Sequence, residues 1–171
     1  PPRLSNCPLA QRGSTLMARP FFPEVSVNGE IIPQILIAAE AQNHAAPPGK
    51  PGWAWQAAAR ALAVRALLMQ RGVELGLNPQ SELNEDGLRE TMDEAMVRSV
   101  IESEITPPPA DEDALRAFHK QSGDVRPYTD ARQSLLDAHE MASWGHAAQA
   151  YIAQLVSGAK ITGVSWQTEA A

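Results

Sequence analysis

Hydrophobic positions change period along the chain, and the changes mark its elements. Val25-Ser26-Val27 and Glu30-Ile31-Ile32 read as short strands around Asn28-Gly29, a pair that tolerates positive φ and favours a tight hairpin. Pro33 suits the first turn of a helix. That helix is expected to run to about Asn43, with Ile35, Leu36, Ala39 and Gln42 facing a packing partner. The stretch Ala46-Pro47-Pro48-Gly49-Lys50-Pro51-Gly52 breaks the pattern. A long helix is predicted from about Trp53 to Leu75, with Trp55, Ala58, Ala59, Leu62, Leu68, Met69 and Val73 at helical spacings. Gly76 and Pro79 end it.

A third helix is expected from about Asp86 to Glu104. Its inward stripe reads Leu88, Met92, Ala95, Met96, Ser99 and Val100, and Pro107-Pro108-Pro109 stops it. A fourth spans Asp111 to Gln121, with Leu115 and Phe118 inward and three carboxylates where the helix dipole favours them. The longest periodic run goes from Arg126 or Tyr128 to Val156 along Tyr128, Ala131, Leu135, Ala138, Ala142, Ala148, Ile152 and Leu155. Alternation returns at residues 159–166, a strand signal. Its one strand-like counterpart is 25–32, so the two regions should pair in a small sheet closing the helical body. The expected fold is mainly α, with about five helices in a single domain over 25–166. Extended tails are expected over 1–24, where prolines recur, and over 167–171.

Composition sharpens this picture. The 171 residues are 44% hydrophobic but 5% aromatic, which suits an Ala- and Leu-rich helical core. Net charge is −6 and sits in the second half: residues 1–85 hold 7 basic and 6 acidic side chains, residues 86–171 hold 7 and 14. Such a balance disfavours nucleic acid and anionic membrane as partners. The run from Asp86 to Asp113, with 9 acidic and 2 basic residues, reads as a solvated face or as a surface attracting basic client segments. No basic region followed by an apolar stretch opens the sequence, which points to a cytoplasmic location.

The sequence offers little for catalysis. Phosphate-cradling glycine loops, HExxH, CxxC and G-x-S-x-G patterns are missing. Cys7 is the one cysteine, so no intrachain disulfide or cysteine cluster is possible. His139 and His146 share a helix face at a spacing of seven, wrong for a metal pair. No catalytic residue, cofactor or metal is therefore assigned. The adaptable apolar side chains are the candidates: Phe21, Phe22, Trp53, Trp55, Met69, Met92, Met96, Trp144 and Tyr151. They fit either a core or a groove for a protein segment.

The ordered set VNGEIIPQILIAAEAQNH (27–44), AARALAVRALLMQRGVELGL (58–77), DEAMVRSVIESEITPPPADEDALRAFHKQ (93–121) and AQAYIAQLVSGAKITGVSW (148–166) resembles the helical chaperone portion of SurA-like and NifM-like parvulin (PpiC-type) peptidyl-prolyl isomerases. The resemblance implies a helical chaperone fold. In that family an isomerase domain stands between the fourth helix and the last, whereas here only Ser122 to Pro127 separates them, so no catalytic residue carries over. The resulting expectation is a non-catalytic protein-binding module or assembly factor for a protein or peptide client. The alternatives are a structural subunit with a fixed protein partner, and an isomerase-related enzyme acting with a separate domain. A homo-oligomer is a further possible arrangement.

Overall fold

The computed structural model describes residues 22–50, 52–83 and 86–166. Cys7 and Phe21 lie outside them. The described residues form five α-helices and a three-stranded sheet that joins the two ends of the described fold.

Strand β1 (Val25–Val27) pairs antiparallel with β2 (Glu30–Ile32), as the hairpin signal requires. Asn28 and Gly29 take φ of 52° and 90°, the positive values a tight hairpin needs. On its other edge β1 pairs antiparallel with β3 (Ile161–Thr162), in the register Ser26 to Thr162 and Val27 to Ile161. The expected pairing of the two regions is therefore present. At Gly163 the chain turns with φ of 76°, so close to Glu24 that a Cβ there would collide with the Glu24 carbonyl.

Helix α1 (Gln34–Glu40) follows Pro33 and ends in a single 3-10 turn at Ala41–Asn43. Its core residue is Ile37, fully buried, while Ile35 and Leu36 are 75% and 51% exposed. The expected inward face of Ile35, Leu36 and Ala39 is thus corrected by about one residue's rotation. The short helix follows the hairpin directly, and that geometry turns Ile37 onto α2.

Helix α2 (Trp53–Glu74) is the spine. Trp55, Ala58, Ala59, Ala63 and Leu67 join Val25, Val27, Ile32 and Ile37 in the main core. Its small side chains let the sheet and α1 approach closely, and each buried large side chain contributes roughly 1.5–3 kcal/mol. Val73, expected on this stripe, lies beyond the core and is exposed.

Helix α3 (Met92–Glu104) starts six residues later than expected. Thr91 and Glu94 form a reciprocal capping box that fixes the start. An antiparallel bridge between Leu83 and Arg89 organises the approach, so Leu88 is exposed rather than inward. Ala95 and Val100 are the buried positions of α3. It meets α2 at Arg65–Asp93, Gly72–Met96 and Arg71–Glu104. Gly72 permits the approach, because a Cβ there would land within the Met96 side chain.

Helix α4 (Glu112–Ser122) is capped by Asp111, whose carboxylate accepts from the Ala114 amide at 2.7 Å. Gly123, with φ of 73°, ends it. Helix α5 (Tyr128–Gly158) begins five residues on and has 31 residues, about 46 Å. Its first half packs Ala131 and Leu135 beside Leu115 of α4, and its end brings Leu155 and Val156 to the main core. Ala138, expected inward, is exposed, while its neighbour His139 is the residue that meets α4. No helix among the described residues is long and apolar enough to cross a membrane.

Candidate functional site

The side chains that α2 does not spend on the core line two grooves. On the α1 side, Leu62, Ala66 and Met69 recur at helical spacing along α2. They face Ile31, Pro33, Leu36 and Ala39, forming a groove of about 720 Å³. Ile31 and Leu36 stay more than half exposed at its edge. On the α3 side, Ala61, Val64 and Leu68 face Val97, Ile101 and Ile105 across about 670 Å³. Trp144 of α5, 47% exposed, closes that end.

Arg65 borders both grooves, and its Nη2 lies 3.4 Å from Asp93 Oδ2. This exposed ion pair forms the ridge between two apolar floors. The α3-side rim is balanced, with Arg65 and Arg98 against Glu94 and Glu102. Arg98 is clamped by Glu90, Glu82 and Glu102, and its hydrogen bonds to Glu90 and Glu102 raise its pKa, the Glu90 bond most. The same Arg98 bond, helped by the Glu82 amide, pulls the Glu90 carboxyl down.

A third cavity, about 460 Å³, lies between the end of α2 and the end of α5. Its polar centre is Arg71, which donates to Glu74 at 3.1 Å and to Glu104 at 3.3 and 3.0 Å. The Tyr151 hydroxyl donates to the same Glu104 oxygen at 3.3 Å. Burial, then the nearby Glu104 charge, pushes the Tyr151 phenol up, so it holds its proton. The cluster has neither a poised base nor an open cationic centre.

The aromatic and methionine candidates separate into different environments. Phe22 stacks on Trp55 at 4.6 Å between ring centroids and 11° between planes. That pair belongs to the main core, with Trp55 6% exposed. Trp53 lies partly exposed at the first turn of α2, and Met92 is exposed at the first residue of α3. Met96 is wedged against Gly72. Met69 and Trp144 line different grooves, and Tyr151 lines the polar cavity. Sequence reasoning did not single out Ile31, Val64, Arg65, Asp93, Val97 or Ile101 for these walls. The Leu62–Ala66–Met69 spacing was readable, but nothing in it told a groove wall from a core stripe.

His119 and His139 serve local structure. His119 Nε2 donates to the Arg126 carbonyl at 3.0 Å, and His139 meets the Phe118 ring edge-on at 5.5 Å. Among the described residues no cluster of three or more His, Cys, Asp or Glu side chains is arranged to hold a metal ion. No protein-family model, no curated protein and no solved structure matches the chain.

Proposed function

We propose that this chain is a non-catalytic, chaperone-like binding module or assembly factor that holds an apolar protein segment against α2. One observation carries the reading. Two apolar grooves flank one helix, and Leu36 and Trp144 stand about half exposed on their walls. Large apolar side chains at a concave, charge-rimmed surface are what a protein partner covers. The resemblance to the helical portion of SurA-like and NifM-like proteins supports the same reading. So does the short α4–α5 connection, Gly123 to Pro127, which leaves no room for an isomerase insert. A cytoplasmic location belongs to this proposal.

The full chain should suppress aggregation of chemically denatured citrate synthase on dilution, read by light scattering. The double variant Leu36→Asp/Trp144→Asp, checked for unchanged helical content, should lose most of that effect. Equal suppression by both proteins, or none by either, contradicts the proposal. A permanent subunit role is the second reading, favoured by Ile35 and Val73, which are 75% and 71% exposed outside either groove. It predicts co-purification with one partner at fixed stoichiometry.

A further inference from the structure

The two grooves differ in charge. Carboxylates of Glu30, Glu40 and Asp93 border the α1-side groove, and among the described residues lining it Arg65 is the one cation. That guanidinium already faces Asp93. Glu30 accepts from the neutral Gln70 amide at 3.1 Å, and Glu40 lies within hydrogen-bond reach of Asn43 and His44. These contacts orient the carboxylates without cancelling the excess negative charge. The floor between them is Leu36, Leu62, Ala66 and Met69. The α3-side groove, by contrast, is apolar with matched rim charges.

We infer that the α1-side groove takes an apolar protein segment that carries lysine or arginine and lacks carboxylates. This rests on the binding-module reading and adds the chemistry of the client. Apolar side chains of the segment would enter the Leu36–Met69 floor, and its cations would meet Glu30, Glu40 and Asp93. An acidic segment would bring like charges onto the same rim, which is how complementary charge selects a partner. Arg71 and Arg98, which line the other two described cavities, are each held by at least two carboxylates.

Fluorescence anisotropy on the full chain tests it with two labelled amphipathic peptides of about 14 residues, one of Leu and Lys, the other of Leu and Glu in the same pattern. At low salt the Lys peptide should bind at least about tenfold more tightly. The triple variant Glu30→Gln/Glu40→Gln/Asp93→Asn should lose most of that advantage. A control of equal net charge, Asp130→Asn/Asp137→Asn/Glu140→Gln on α5, should keep it. Leu36→Ser should weaken the Lys peptide in every background. Equal loss in the triple variant and the control makes the preference a whole-molecule field effect and overturns the inference. Equal binding of both peptides, weakened by Leu36→Ser, overturns the charge selection and leaves the binding-module reading standing. If neither peptide binds, both fall. Self-association abolished by Leu36→Ser without peptide assigns the groove to a second copy and also overturns the inference.

Discussion

Asn28 and Lys160 stand 132 residues apart in the chain and exchange two hydrogen bonds. The Asn28 amide donates to the Lys160 carbonyl at 2.8 Å, and the Lys160 amide donates to Asn28 Oδ1 at 2.9 Å. The same Asn28 side chain donates to Gln70 of α2 at 2.8 Å. One turn residue thus ties the hairpin, β3 and the spine helix together while holding a φ of 52°.

Replacement of Asn28 should separate these duties. Asn28→Ala loses both side-chain bonds and adds a positive-φ penalty, for a combined cost of about 2 kcal/mol. Asn28→Gly keeps the backbone freedom and should cost about half as much. Urea unfolding of both variants measures the difference, and equal destabilisation would mean the turn conformation contributes nothing.

Gly163 should tolerate no side chain. An alanine there meets the Glu24 carbonyl and an unfavourable φ together, so Gly163→Ala should cost about 2 kcal/mol or more. Amide exchange should accelerate in β1 and β3 before it does in α4. Wild-type stability in this variant would contradict the close approach of the two segments.

Acid should act on the α4–α5 turn only below about pH 4. The Arg126 side chain, then its backbone amide, holds the Asp124 carboxyl at about 2, below its ordinary 3.8. Because the folded value is the depressed one, the contribution is present above about pH 4 and disappears as pH falls toward 2. Carboxyl carbon NMR should show a midpoint near 2 that rises in Arg126→Ala. A midpoint at the ordinary value in both proteins would refute the pairing.

Prolyl isomerase activity should stay at background on a short proline peptide. Five residues between α4 and α5 cannot house a catalytic domain. A substantial rate removed by a substitution within this chain would overturn that expectation.

The fold was legible where local chemistry decides it. Asn28-Gly29 fixes the hairpin, Pro33 and the triple proline bound helices, and the strand signals at 25–32 and 159–166 had only each other to pair with. Burial direction was less legible. Ile35, Leu36 and Ile37 are equally apolar, and only the packing of β1 and α2 selects Ile37. The start of α3 is encoded locally, since Thr91-Met92-Asp93-Glu94 is a capping-box sequence that outweighs the apolar spacing of Leu88. The groove walls were least legible, because Val64, Val97 and Ile101 come from two helices whose close approach depends on Gly72 admitting Met96.

Methyl NMR of the full chain, titrated with the Leu–Lys peptide, tests the central claim most directly. The account predicts shifts concentrated at Leu36, Leu62 and Met69, with no comparable change at Leu115 or Leu135 in the α4–α5 pair. Shifts spread evenly over the molecule, or centred on the α4–α5 pair, would contradict it.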